Sequence, residues 1–193
     1  MIGFMSKESF SWQSILQKKK RGQDICIVRF AALLHDIGDW KLHNSGRSEE
    51  EVLRHTCSML SFPTDVAEKV IAIVTRMSYS KNLDGKNVLS PEGQIVQDAD
   101  RLDALGAIGI ARAFAYGGKH NRELYNPAIK PQRFTSTNSY RSANGTTVNH
   151  FYEKLFLLKD LLNTKTAKEI AEKREKFMKE FMKEFYREWE NKQ

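Results

Sequence analysis

The sequence predicts an all-α fold, a single-domain helical bundle, and three observations support this class. Only four prolines and eleven glycines occur among 193 residues, so long stretches of the chain can stay helical. Apolar side chains recur at helical spacing in several segments. Two segments, residues 24–37 and 91–116, are apolar on nearly every side, as expected for helices at the centre of a core. A chain of this length can bury one sizeable core.

The composition excludes several other classes of protein. Hydrophobic residues make up 40% of the chain and charged residues 28%, which is ordinary for a soluble globular protein. No run approaches the roughly 18 apolar residues of a membrane span. Residues 1–22 lack the order of a signal peptide, because their basic cluster follows the apolar residues. Since Cys26 and Cys57 show no CxxC spacing, we expect a reduced cytoplasmic protein without disulfides.

The charge of the chain bears on its partners. The formal net charge is +7, which suits a phosphate-bearing partner. The one obvious concentration of this charge runs from Lys18 to Arg21. Such a run is more often the solvated end of a helix than a nucleic-acid site, and no interleaved aromatic residues accompany it. A nucleic-acid-binding module is therefore the less favoured alternative, and the oligomeric state is not predicted.

The first half of the chain divides into helices at recognisable breaks. The buried helix of residues 24–37 is followed by a polar interruption from Asp39 to Arg47. Ser48 and the three glutamates after it are typical of a capped, acidic first turn, which predicts a helix to about Leu60. Residues 62–65 break the chain again and begin another helix. Its apolar positions have helical spacing: Val66, Val70, Ile73, Val74 and Met77.

Residues 78–90 are predicted to form a loop, and the helix that follows, residues 91–116, carries the most information. Its apolar residues, from Ile95 through Phe114, surround it almost completely, yet five charged residues lie between these two positions. These are Asp98, Asp100, Arg101, Asp103 and Arg112. Charges on a buried helix are costly unless they are paired or bind a metal. A functional site is therefore expected on this helix.

The last part of the chain is predicted to contain a long connection and then helices. The glycine pair at 117–118 ends the central helix, and residues 119–146 form an irregular connection of the kind that is often a functional lid or a flexible segment. Helix resumes near Thr147 and, after a break at residues 163–164, continues to about Trp189. The final helix is amphipathic, with one apolar stripe: Ile170, Phe177, Phe181, Phe185 and Trp189.

His35 and Asp36 are adjacent at the end of the first buried helix. Neighbouring helical residues point about 100° apart, yet both side chains can reach one ion at a helix end. An imidazole and a carboxylate suit Mn, Fe or Zn, or Mg with more oxygen ligands. Asp100 offers a third ligand from the second buried helix, and Asp103, one turn further on, can orient a ligand or a water. A satisfied structural pair of His35 and Asp36 is the alternative interpretation.

The residues around these positions carry a resemblance to a known family. The segments are AALLHDIGD at 31–39, MSYS at 77–80, IVQDADRLDALGAIGIARAFAYGG at 95–118, YNPAIKP at 125–131 and NHFYEKL at 149–155. With these segments the chain resembles the HD superfamily of metal-dependent phosphohydrolases, and more closely its stand-alone bacterial-type HD domains. The resemblance runs from about Phe30 to the C-terminus. It implies an HD core at residues 23–116, a long loop at 117–146 and C-terminal helices at 147–193 that pack on the core.

The resemblance also implies a site. His35 and Asp36 are the paired metal ligands, Asp100 is the distal carboxylate, and Asp39 stands where related members place an acid–base residue. A helix-end aspartate at a turn is an equally good interpretation of Asp39. The implied cofactor is a divalent ion (Mn, Mg, Fe, Co, Ni or Zn), and the implied substrate is a small phosphorylated molecule such as a nucleotide. Candidates for contact with its phosphate are Arg101, Arg112, Lys119 and His150.

The chain departs from the family pattern at one ligand. Related members carry another histidine upstream of the HD pair, and no histidine precedes His35 here. Residues 1–22 are accordingly predicted to be a divergent or truncated first helix. His43 and His55 lie downstream and are weaker candidates for a substitute ligand. Three protein ligands and water still make a catalytic metal site. The alternative function is a degenerate HD domain that binds a nucleotide or partner without turnover.

Overall fold

The computed structural model describes residues 22–37, 46–85 and 87–191. Within these ranges the chain forms helices and contains no β-strand, which confirms the predicted all-α class. The chain separates into two compact units, Met1–Ala99 and Asp100–Gln193. No helix in the described part of the chain is long and apolar enough to cross a membrane.

Some sequence predictions fall on residues outside these ranges. They concern the N-terminal helix of residues 1–22 (apart from Gly22), the basic run from Lys18 to Arg21, the acid–base candidate Asp39, and His43. These four stay predictions.

In its described residues, the first unit contains four helices and most of a fifth. They are α1 (Ile25–Leu34), α2 (Glu49–Met59), α3 (Thr64–Met77), α4 (Tyr79–Leu83) and α5 (Pro91–Asp103), whose last residues belong to the second unit. The predicted cap of α2 is confirmed: the Ser48 hydroxyl accepts a hydrogen bond from the Glu51 amide, and the Ser48 amide donates to the Glu51 carboxylate. This reciprocal pair satisfies two donors that a helix start otherwise leaves open.

The core of the first unit forms where α1 and α2 pack against α3. Apolar side chains removed from water here include Val28 of α1, Leu53 of α2 and Val70 of α3, each at most 1% exposed. Burial of one such side chain contributes roughly 1.5–3 kcal/mol. The prediction that residues 24–37 are buried on nearly every side is wrong. Leu33 is 52% exposed and Ile25 is 39% exposed, so α1 buries one face only.

The predicted loop at residues 78–90 is wrong in its first half, because α4 lies within it. The Ser78 hydroxyl caps this short helix by accepting a hydrogen bond from the Lys81 amide. The ammonium group of Lys81 binds the Glu49 carboxylate and the carbonyl of Thr75, so contacts with α2 and α3 hold the turn. Local sequence patterns do not predict ion pairs between distant residues, so this helix was not predicted.

The second unit begins with the end of α5 and continues through four more helices. They are α6 (Gly106–Lys119), α7 (Thr137–Arg141), α8 (Thr147–Glu153) and α9 (Lys165–Trp189), with 3-10 turns at Leu155–Leu157 and Lys159–Leu161 between the last two. The predicted helix start near Thr147 and the break at residues 163–164 are confirmed. The Thr164 hydroxyl caps α9 by accepting a hydrogen bond from the Ala167 amide at 3.3 Å.

The prediction of one uninterrupted helix over residues 91–116 is wrong. The helix stops at Asp103 and a new one starts at Gly106. Gly106 has φ +81°, a left-handed conformation that glycine adopts at little cost and that interrupts a right-handed helix. The Arg174 guanidinium of α9, about 70 positions away in the sequence, donates hydrogen bonds to the carbonyls of Leu102 and Leu105 at this break.

The apolar stripe predicted for α9 is displaced. Phe177 and Trp189 are 48% and 46% exposed, whereas Ile170, Phe181 and Phe185 are half-buried. The buried positions are Ala167, Ala171, Glu175, Met178 and Met182. Helix α9 packs on α6 through this face, where small alanines allow close approach and methionines fill the gaps. The prediction was displaced because it centred the buried face on the large aromatic residues, whereas smaller residues and methionines occupy its centre.

Glu175 is a charged residue within that buried face. It is 6% exposed, and its carboxylate lies 2.9 Å from the ammonium nitrogen of Lys159 and 3.0 Å from that of Lys179. Burial raises the pKa of this carboxyl group, but the hydrogen bonds from the two lysines outweigh burial. The pKa of Glu175 is therefore below its ordinary value, and the side chain stays ionised in the folded protein.

Candidate metal centre

His35 and Asp36 lie at the C-terminal end of α1, where the sequence places them. His35 is the C-cap residue; its side chain is 8% exposed and that of Asp36 is 34% exposed. The Nδ1 atom of His35 lies 2.7 Å from the carbonyl oxygen of Ala32. Because a carbonyl oxygen only accepts hydrogen bonds, Nδ1 carries the proton. In the neutral ring the lone pair is therefore on Nε2, which lies 3.4 Å from Asp36 Oδ2.

This pair fits a divalent ion in three respects. Its donor atoms are an imidazole nitrogen and a carboxylate oxygen, the ligands of Zn, Fe and Mn sites. Metal-binding histidines usually donate their other N–H to a carbonyl or carboxylate, as His35 does. Two ligand atoms that each lie about 2.1 Å from a tetrahedral ion are about 3.4 Å apart. The observed separation of His35 Nε2 and Asp36 Oδ2 equals that spacing.

The rest of the predicted ligand set is less complete. In the described part of the chain, no three His, Cys, Asp or Glu side chains are grouped closely enough to hold an ion. Asp100 belongs to the second compact unit, where it lies half-buried near the end of α5. Its role as third ligand stays a prediction. His55 is exposed on α2.

Arg101 and Arg112 lie within the second unit, and each donates a hydrogen bond to a backbone carbonyl there, that of Asp103 in the case of Arg112. Asp103 is 4% exposed, and its carbonyl oxygen accepts a hydrogen bond of 3.3 Å from Arg112 Nη1. Arg101 is 5% exposed, and its Nη1 donates to the carbonyl of Leu161. Both arginines therefore stabilise the region in which Asp100 lies.

The two other phosphate candidates are more accessible. Lys119 is exposed at the last position of α6, and His150 is half-buried in α8. An exposed ammonium group attracts anions at little desolvation cost.

Sequence reasoning missed Arg174. Its Nη1 atom donates to the carbonyl oxygens of Leu102 and Leu105, next to the predicted site residues Asp100 and Asp103. In the sequence it is one cation among many on a highly charged helix. Its position three residues after Ala171, on the buried face, was the available signal.

The chain is similar to a known protein family, to a protein of Bacillus subtilis and to several solved structures. The family model of the HD domain matches residues 12–105. YpgQ of Bacillus subtilis is 40% identical over 161 residues, which span 83% of this chain and 71% of YpgQ. A crystal structure of YpgQ in complex with ADP has a TM-score of 0.71 at 33% identity, and covers 97% of this chain and 84% of that one.

Two further crystal structures are similar over nearly the whole chain. A protein from Lactobacillus plantarum has a TM-score of 0.87 at 40% identity, covering 97% of this chain and 86% of that one. An HD-superfamily hydrolase from Bacillus thuringiensis has a TM-score of 0.70 at 38% identity, covering 98% of this chain and 86% of that one.

Proposed function

The chain belongs to the HD superfamily, and on that premise we propose that it is a metal-dependent phosphohydrolase acting on a nucleotide or another small phosphate ester. The observation that carries the proposal is the orientation of His35. Its Nδ1 is held by the carbonyl of Ala32, and its Nε2 is placed beside the Asp36 carboxylate at 3.4 Å. The Bacillus thuringiensis relative is described as a hydrolase, and YpgQ was crystallised with ADP, which supports a nucleotide as substrate.

His35 Nε2, the Asp36 carboxylate and the Asp100 carboxylate are the proposed ligands of the ion. A bound divalent ion supplies Lewis-acid chemistry: it lowers the pKa of water and polarises a phosphoryl oxygen. In the overall reaction, water adds to phosphorus, the bond from phosphorus to the leaving oxygen breaks, and that oxygen takes up a proton. Asp39 is the proposed acid–base residue that moves this proton. Asp103 would orient a ligand or the water.

The proposed phosphate contacts are Arg101, Arg112, Lys119 and His150. Lys119 has the most accessible charge of the four, because it lies exposed at the end of α6. Arg101 and Arg112 each already bind a backbone carbonyl through Nη1, so their remaining N–H groups would serve the phosphate. Charge-assisted donors of this kind stabilise the charge on the transferred oxygens.

Hydrolysis assays test the proposal. The purified chain is incubated with p-nitrophenyl phosphate and with a panel of nucleotides that includes ADP, each with Mn, Mg, Co or Ni. We expect metal-stimulated phosphate or pyrophosphate release that Asp100→Ala abolishes. Asp160→Ala is the matched control, since Asp160 is an exposed aspartate of the same unit. Inactivity across the panel, or an Asp100→Ala variant as active as the wild type, would overturn the enzymatic function.

The same material distinguishes the alternative, a degenerate HD domain that binds a nucleotide without turnover. The ADP complex of YpgQ favours nucleotide binding as such, whether or not hydrolysis follows. Elemental analysis that finds no bound metal, together with an ADP-induced rise in Tm and no turnover, would support this alternative.

A further inference from the structure

The connection between α6 and α8 is anchored where it begins. The amides of Thr147 and Val148 donate hydrogen bonds to the carbonyls of Glu123 and Leu124, at 2.9 and 3.0 Å. The first amides of a helix have no acceptor within the helix, so the connection supplies acceptors that α8 lacks. The next residue, Tyr125, packs its ring against aromatic rings of α9. These contacts fix the chain just before residue 126.

Two side chains of α8 bind the middle of the connection. Asn149 Nδ2 donates a hydrogen bond to the carbonyl of Ile129 at 3.0 Å, and Glu153 Oε1 accepts one from the amide of Gln132 at 3.1 Å. Asn149 and Glu153 are one helical turn apart, so they lie on the same face of α8. They are 1% and 7% exposed, and polar groups buried this deeply are costly to leave without a partner. Together they hold the backbone of residues 129–132 against α8.

The last part of the connection passes the same carboxylate. A Cβ added to Gly145 would lie 3.2 Å from Glu153 Oε1 and 3.4 Å from Oε2, so the backbone approaches this side chain closely. Near the start of the connection, the positive charge of Arg122 attracts the Glu153 carboxylate and offsets part of the rise in its pKa that burial causes. The beginning, middle and end of the connection therefore converge on one buried side chain.

We propose that residues 126–145 form a closed strap on α8, and that Asn149 and Glu153 are its latch. When the two latch bonds are lost, the strap opens between its anchored ends. Helices α6 and α9 stay closed, because they pack directly on each other. A connection of this length is often a lid or a flexible segment, and the latch is what holds this one in a single position. The inference concerns the second unit alone and does not depend on a bound ion.

Four variants test the latch. Asn149→Asp keeps the size of the side chain but places an acceptor opposite the carbonyl of Ile129, and Glu153→Ala removes the acceptor of the Gln132 amide. Glu153→Gln retains an amide oxygen that can accept this bond. Glu188→Ala, at an exposed position of α9, is the control. Circular dichroism first confirms that each variant is folded.

Two measurements report on opening of the strap. Trypsin cleaves after Arg133, an exposed residue of the strap, but cleavage requires the surrounding backbone to open. Amide hydrogen exchange at Gln132, followed by NMR, reports the same opening at the latch itself. Exchange in residues 171–182 of α9 shows whether the rest of the unit opens as well.

We expect Asn149→Asp and Glu153→Ala to speed cleavage after Arg133 and exchange at Gln132 about tenfold or more, because each leaves a buried polar group without its partner. Exchange in α9 should not change. Glu153→Gln should keep most of the protection, and Glu188→Ala should behave as the wild type.

Unchanged rates in folded Asn149→Asp and Glu153→Ala proteins would overturn the latch. Exchange in α9 that accelerates as much as exchange at Gln132 would show that the whole unit opens, and would overturn a separate strap. The wild type provides a test that needs no variant: a Gln132 amide that exchanges as fast as in an unfolded peptide would show that the strap is not closed.

Discussion

The Nδ1 atom of His35 donates a hydrogen bond to the carbonyl oxygen of Ala32, three residues earlier in the same helix. This bond fixes the imidazole at the end of α1 and leaves Nε2 as the atom that can accept an ion. Because the acceptor is main chain, the orientation follows from the backbone of α1 rather than from a second side chain. The site therefore depends on the integrity of the helix ends and helix contacts that support it.

One helix contact can be tested by adding a single methyl group. A Cβ at Gly117 of α6 would overlap the Thr147 Oγ1 atom of α8, whereas a Cβ at the neighbouring Gly118 would meet nothing within 4 Å. Gly117→Ala should lower the free energy of unfolding by roughly 1–3 kcal/mol through overpacking. Gly118→Ala should be neutral or stabilise by up to about 1 kcal/mol, because alanine favours helix.

Urea denaturation of the two variants measures this difference. Thr147→Ala removes the obstructing hydroxyl, so Gly117→Ala should cost less when it is combined with that change. Equal stability of Gly117→Ala and Gly118→Ala would show that α6 and α8 are not as closely packed as described.

The second prediction concerns the capping box of α2 and its contribution to stability. Ser48→Ala removes the hydroxyl that accepts a hydrogen bond from the Glu51 amide at 3.2 Å. We expect the free energy of unfolding to fall by about 1 kcal/mol, the usual effect of losing a serine cap. Ser58→Ala, at an exposed position of the same helix, is the control and should change stability little. If both variants unfold at the same urea concentration, the cap contributes nothing.

A third prediction concerns pH and Glu153. This residue of α8 is 7% exposed, and its Oε1 accepts a hydrogen bond of 3.1 Å from the backbone amide of Gln132. Burial raises the pKa of the Glu153 carboxyl group above its ordinary value, and the Gln132 bond and Arg122 offset this only in part. Since the folded pKa is raised, the favourable contribution of Glu153 is complete below the unfolded pKa and is lost as pH rises through the folded pKa.

Glu153→Gln keeps an acceptor for Gln132 without the buried charge. The variant should therefore have a higher Tm than the wild type at pH 8, and the difference should shrink as the pH falls toward 4. Thermal unfolding followed by circular dichroism at several pH values checks this. Glu188→Gln, at an exposed position of α9, should show no such trend. A Tm difference that grows as the pH falls would contradict a raised pKa of the Glu153 carboxyl group.

The sequence predicted best those features that depend on neighbouring residues. The start of α2 follows from Ser48 and Glu51, which meet across one helical turn, and the start of α9 follows from Thr164 in the same way. The location of His35 and Asp36 at a helix end was predicted correctly for the same reason. Interactions between residues close in the sequence decide where a helix begins and ends, so these positions can be predicted from the sequence.

Features that depend on distant residues were not predicted. The break at Gly106 lies against Arg174 of a distant helix, and Lys81 of α4 contacts Glu49 of α2. The exposure of Leu33 depends on which face of α1 meets α3, because both faces are apolar. The rotation of the His35 ring toward Ala32 is a matter of side-chain geometry that no spacing encodes. The features that sequence patterns did not predict are therefore those that tertiary contacts and side-chain geometry determine.

Manganese binding by the wild type and by two histidine variants tests the central claim most directly. Calorimetric titration should show that Mn²⁺ binds the wild type. His35→Ala should weaken this binding by at least the roughly 10–100-fold that accompanies loss of a group supporting a metal ligand. His120→Ala removes an exposed histidine that is not a proposed ligand and should leave the affinity unchanged. A His35→Ala protein that binds Mn²⁺ as tightly as the wild type would contradict a metal centre at His35.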